Sequence, residues 1–130
     1  PMRFEVDLND EKHDPWRDGP VKLERTVQDD KTVVTVAGRL DAMTAPDFEK
    51  ESLAWVEGGD RKILLDLADL EYISSAGLRA ILALAKRARA SGGAVTVCSM
   101  KGMVAEVFAI SGFDAFLPVA ADRECGLEAF

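Results

Sequence analysis

The chain has 130 residues, 48% hydrophobic and 30% charged, with a formal net charge of −7. That length fits one domain with its own core, and the acidic balance argues against nucleic acid or an anionic membrane surface as the main partner, since both need clustered Lys and Arg. No apolar run reaches the length of a membrane span and no segment reads as a signal peptide, so a cytoplasmic protein without membrane insertion is expected.

Residues 1–19 (PMRFEVDLNDEKHDPWRDG) are charged, broken by Pro and Gly, and show no sustained period. They read as a flexible N-terminal extension ahead of a domain spanning 20–130, with Trp16 as the residue to pin it to the body. Pro1-Met2 reads as a scar ahead of the native start. From Val21, apolar Val21, Leu23 and Val27 alternate with Lys22, Glu24 and Thr26, the period of a half-buried strand. Asp29-Asp30 supplies a turn, and Thr32–Ala37 reads as the more buried returning strand, ended by Gly38.

Thr44 has the place of an N-cap, with Pro46 in the first turn and Asp47 three positions on. The spacing predicts a helix over 45–57 that buries Phe48 and Trp55 or Val56 and stops at Gly58-Gly59. Ile63–Leu67 is short, apolar and bounded by charges, as an interior strand is. A helix over 76–90 follows, with Leu78, Ile81, Leu82, Ala85 and Ala88 on one face and Arg79, Ala83, Lys86 and Ala90 on another. Gly92-Gly93 ends it. Ala94–Cys98 reads as a strand, Ser99 as the cap of a helix over 101–110 with Met103, Val104, Val107 and Phe108 inward, and Gly112 as its stop. A brief strand at 116–117 and a helix from Asp122 complete an α/β chain: a single domain with a mixed sheet of four to five strands, an N-terminal hairpin and about four helices.

Charge is unevenly placed. Residues 72–105 hold no acid, yet carry Arg79, Lys86, Arg87, Arg89 and Lys101. The helix over 76–90 needs a solvated face, and cations near its C-terminus suit the dipole; the same residues also fit a docking surface for an acidic partner. Cys98 and Cys125 lie far apart without C-x-x-C spacing and read as a free, mostly buried pair, with a structural disulfide as the alternative.

No catalytic set emerges. Ser74-Ser75-Ala76-Gly77 lacks the G-x-S-x-G elbow, and the one histidine, His13, falls in the extension. One histidine and two distant cysteines make no tetrahedral metal set, and the paired glycines match no phosphate or dinucleotide loop. No enzyme, metal or cofactor is expected. The informative stretch is Leu65–Leu82 (LDLADLEYISSAGLRAIL), where a buried strand runs out and two serines meet a helix start. One of them serves as N-cap; the same orphan amides, with the positive end of the dipole, also make a seat for a phosphate.

The run D-L-x-x-L-x-Y-I-S-S-A-G-L-R at 66–79, preceded by V-A-G-R-L-D at 36–41 and followed by G-G-x-V-T-V and I-S-G-F, resembles the STAS domain of anti-sigma factor antagonists over roughly residues 20–128. The resemblance implies a binding partner that is an anti-sigma factor serine kinase, release by phosphorylation, and a PP2C-type phosphatase that resets the cycle. In the family's D-S-[ST]-G-L loop the serine after the aspartate accepts the phosphate. Ser75 takes that acceptor's place, Ser74 the aspartate's and Ala76 that of the second hydroxyl residue, while Gly77 and Leu78 agree. Ser74 departs from the family and removes a negative charge beside the acceptor. Asp41, in G-R-L-D, matches a partner-facing position, so Asp41, Ser74, Ser75, Ala76, Gly77, Leu78 and Arg79 form the expected partner-binding set. A constitutive adaptor, for example a subunit of an ABC-type lipid transporter in which no serine is phosphorylated, is the alternative.

Overall fold

The computed structural model of the chain describes residues 3–7, 21–115 and 117–130. Trp16 and Phe116, to which the sequence reading gave roles, lie outside them. Arg3–Asp7 forms β1, antiparallel to β2 (Val21–Gln28) with Arg3 opposite Thr26 and Asp7 opposite Lys22. The sequence reading has no strand there. β2 turns at Asp29, with φ 58°, into β3 (Lys31–Leu40), the expected hairpin. Then follow α1 (Ala45–Glu57), β4 (Lys62–Asp66), β5 (Leu70–Ile73), α2 (Ser75–Ala90), β6 (Ala94–Cys98), α3 (Gly102–Ser111), a single 3-10 turn (Phe113–Ala115), β7 (Val119–Ala120) and α4 (Arg123–Glu128).

The strands make one mixed sheet in the order β1-β2-β3-β4-β6-β7, antiparallel through β3 and parallel beyond it, with β5 paired to β3 off that path. Seven strands are thus seen among the described residues where four to five were expected. β1 and β5 are the additions, and the last strand sits at 119–120 rather than 116–117. Gly38 does not end β3. With φ 94° it sits where the register slips, and β3 passes there from β4 to β5. A non-glycine residue is strained at that angle, so Gly38 is what lets one strand serve two neighbours.

Strand alternation sorts the core into two faces. Val34, Val36, Ile63, Leu65, Val95 and Val97 share the main cluster with Phe48, Trp55, Ile81 and Leu84 of α1 and α2. Phe48 and Trp55 meet edge to face, ring centroids 6.0 Å apart. The opposite face carries Val33, Leu64 and Cys98, packed by Ala120, Leu127 and Phe130. Arg123 ties α4 to that face: its Nε donates to Asp66 Oδ2 at 2.9 Å and its Nη2 to Thr35 Oγ1 at 3.2 Å.

Several local expectations change. In α2, Leu78, Ile81 and Ala88 are buried as expected, joined by Gly77, Ala80 and Leu84, while Leu82 and Ala85 are only half-buried. The buried face is turned toward Gly77, whose missing Cβ lets the helix start lie against Leu40 and Ile73. Ser99, with φ 65°, does not cap α3; Lys101 has the cap position and makes no side-chain cap bond. Met103 points outward and is 37% exposed. Gly112 ends α3 in the left-handed region, as expected.

Candidate functional site

The site forms where two parallel strand ends leave the sheet together. Arg39 lies opposite Tyr72 and Leu40 opposite Ile73, and the Ser74 amide donates to Leu40 O at 3.0 Å. The turn after β3 and the turn after β5 are therefore neighbours, and Leu40, the residue before Asp41, is bonded to Ser74. Sequence distance hides that juxtaposition, and only the swap of partners at Gly38 creates it.

Asp41 works first on its own loop. Its Oδ1 accepts from the amides of Met43 at 2.9 Å and Thr44 at 3.2 Å, an Asx turn that leaves the Met43 side chain 62% exposed. Thr44 occupies the N-cap position of α1, but its hydroxyl does not cap the helix amides as expected. It accepts from the Asp41 amide and donates to Arg39 O, bracing the loop instead. The Arg39 guanidinium lies over the Tyr72 ring, 4.1 Å from its centroid, and approaches Asp41 Oδ2 to 4.0 Å. Sequence reading missed both Arg39 and Tyr72. Their only signal was their places in the two matched motifs.

The start of α2 divides labour between its serines. Ser74 is extended, at φ −100° and ψ 175°, and is the N-cap; its Oγ accepts from the Gly77 amide at 3.3 Å, and its carbonyl accepts from Leu78 N. Ser75 is the first helical residue. It is exposed, and its hydroxyl makes no hydrogen bond with a described residue. Ala76 is half-buried, Gly77 and Leu78 are buried, and Arg79 is exposed one turn beyond Ser75. Of the expected partner-binding set, Gly77 and Leu78 thus hold the site from beneath. A Cβ on Gly77 would stand 2.5 Å from Leu40 O and 2.9 Å from Ile73 Cγ1, closer than any real contact, so glycine is what lets the helix start press on both strand ends.

No acid lies in the first turn of α2. The exposed end therefore keeps its orphan amides and the positive pole of the dipole, with Arg79 nearby: an anion at Ser75 Oγ meets favourable charge. Of the two cysteines, Cys98 is buried as expected but Cys125 is exposed. Among the described residues, no group of three His, Cys, Asp or Glu is placed to hold a metal ion, and no helix is long and apolar enough to cross a membrane.

The STAS domain family profile matches residues 22–124. A Bordetella bronchiseptica protein named as a candidate anti-sigma factor antagonist, BtrV, is 41% identical over 110 residues, covering 85% of this chain and 95% of its own. An anti-sigma-B factor antagonist of Staphylococcus aureus is 25% identical over 104 residues, 80% of this chain and 96% of its own. Among solved structures, an anti-sigma factor antagonist from Mycobacterium paratuberculosis superposes with a TM-score of 0.77 at 24% identity, covering 84% of this chain and 92% of that one.

Proposed function

Because the chain belongs to the STAS domain family, we propose that it is an anti-sigma factor antagonist working by partner switching. With Ser75 unphosphorylated it binds an anti-sigma factor serine kinase and so frees a sigma factor; phosphate on Ser75 breaks that complex, and a PP2C-type phosphatase restores it. The chain contributes a surface and an acceptor hydroxyl, and no reaction of its own. The observation that carries this reading is the division between the serines: Ser74 does the capping, which leaves Ser75 exposed and uncommitted at the helix start. The names borne by the Bordetella and Staphylococcus relatives support it.

The lever is electrostatic. A phosphoserine adds about −1.5 to −2 charges to what had been a neutral contact. If a desolvated partner surface faces it, an uncompensated charge there costs several kcal/mol, roughly a hundredfold or more in affinity. The start of α2 is wedged against two strand ends, so the switch needs no rearrangement of the fold. The test is to isolate the cognate kinase by co-purification from the native cell, incubate it with the chain and ATP, and map the phosphate. One phosphate on Ser75 is expected. Phosphate on Ser74 alone, or none at all, would sink the proposal, and the second outcome would favour the constitutive adaptor.

A further inference from the structure

Resting on that reading, we propose that the outer face of α2 is a docking track running away from Ser75, and that the kinase surface it receives is acidic with an apolar centre. From Ser75 the outward positions are Arg79, Leu82 and Lys86, at offsets of four, seven and eleven, a straight stripe down one side of the helix. Arg79 and Lys86 are exposed, and Leu82 is half-buried between them. Arg87 and Arg89 lie in the last turn, where cations suit the dipole and are explained by it. Arg79 is different. It is the fifth helical residue, far from the C-terminal end, so the dipole does not explain it, and the first turn before it holds no acid.

The fold does not use these charges. Neither Arg79 nor Lys86 forms an ion pair with a described residue, although α1, which packs on α2, carries Asp47, Glu49, Glu51 and Glu57. In a chain of net charge −7, the span 72–105 nevertheless holds five cations and no acid. A cationic stripe with a leucine at its middle, beginning at the acceptor serine, complements an acidic surface with an apolar residue at its own centre. Charges arranged in this way act mainly on the encounter, raising the association rate and making it sensitive to salt. A phosphate on Ser75 acts on the formed contact. The two effects are therefore separable in kinetics.

The experiment uses the full chain and the kinase obtained by co-purification, with association and dissociation rates measured at low and at several-fold higher salt. For the wild type, association should slow as salt rises. Arg79→Glu with Lys86→Glu should slow it about tenfold or more and abolish most of the salt dependence, whereas Ser75→Asp should mainly hasten dissociation. Arg79→Gln with Lys86→Gln, which leaves the helix uncharged at both places, stands in if the reversed chain does not fold. A reversed chain that associates at the wild-type rate, or a wild-type rate indifferent to salt, overturns the track while leaving the switch intact. A kinase that binds wild type and Ser75→Asp equally overturns the switch, and with it the track.

Discussion

Ser74→Ala and Ser75→Ala remove the same hydroxyl from adjacent residues, and the structure assigns them different consequences. Ser74 Oγ accepts a single amide, from Gly77, at 3.3 Å. That is longer than the usual 2.9–3.0 Å, so its loss belongs in the lower half of the range for cap deletions, about 0.5–1 kcal/mol. In a domain of this size the melting temperature should fall by roughly 2–5 °C. Ser75 lies outside that bond and is exposed, so Ser75→Ala should stay within about 0.5 kcal/mol of wild type. Ser75→Asp places an acid at the first helical position, one turn before Arg79, and should be neutral or stabilising by about 0.3–1 kcal/mol. In stability, then, Ser75→Asp equals or exceeds wild type and Ser75→Ala, and Ser74→Ala is lowest. In affinity for the kinase, wild type and Ser75→Ala should agree and Ser75→Asp should fall by about tenfold or more. Urea unfolding and calorimetric titration of the same preparations give both orders. A Ser75→Ala chain as unstable as Ser74→Ala would refute the assignment of the cap, and equal affinity of wild type and Ser75→Asp would refute the switch.

Three further perturbations probe the supports. Gly77→Ala forces its new Cβ away from Leu40 O; the strain of about 1–3 kcal/mol should outweigh the roughly 1 kcal/mol that alanine gains in a helix, lowering the melting temperature and slowing phosphorylation of Ser75 together. A Gly77→Ala chain that melts higher than wild type would show that the contact yields freely. With a thiol reagent near neutral pH, Cys98 should stay unlabelled until unfolding, because burial raises its thiol. Cys125 should label slowly although exposed, because a hydrogen bond to Asp122 and that residue's charge raise its thiol. Asp122→Asn keeps a good cap but removes the charge, so the Cys125 thiol should ionise at lower pH and label faster; an unchanged rate would count against that cause. A chain beginning at Pro20 loses one edge strand and none of the core formed by 21–130, and should fold with a loss of under about 1–2 kcal/mol; a fall of more than about 8 °C on melting would mean that residues 1–19 are integral to the domain.

The parts of the fold readable in advance were those whose cause is local. Helix 45–57 and strand 94–98 fall where apolar spacing and flanking glycines put them. Gly112 acts as the stop its type suggests, and the last helix begins where expected, at Asp122, which the structure shows to be its cap. What was hidden depends on contacts distant in sequence. The four residues of β5 are too short to show a period, and they become a strand only because Gly38 turns the end of β3 toward them. The candidate site was legible as a string of residue types but not as a division of roles. Nothing in Ser-Ser tells which hydroxyl faces Gly77 N, and nothing in G-L tells that both residues lie under the site. Asp41 was picked out by motif, yet the Asx turn through which it shapes its loop depends on the chain path after β3.

β4 and β5 occupy one lane of the sheet, both lying against β3 and separated by Leu67–Asp69. β4 is flanked on both sides, by β3 and β6, whereas among the described residues β5 pairs only with β3. In amide exchange the lane should therefore read as two units. The amides of β4 should open only with the whole molecule, and those of Tyr72 and Ile73 should exchange earlier through a local opening that leaves the rest of the sheet closed. Such a break confines the motions of the serine-bearing end to that end. A partner that clamps the turn after β5 would then slow exchange there while leaving the centre of the sheet unchanged, a footprint visible in deuterium uptake before any change in the melting curve.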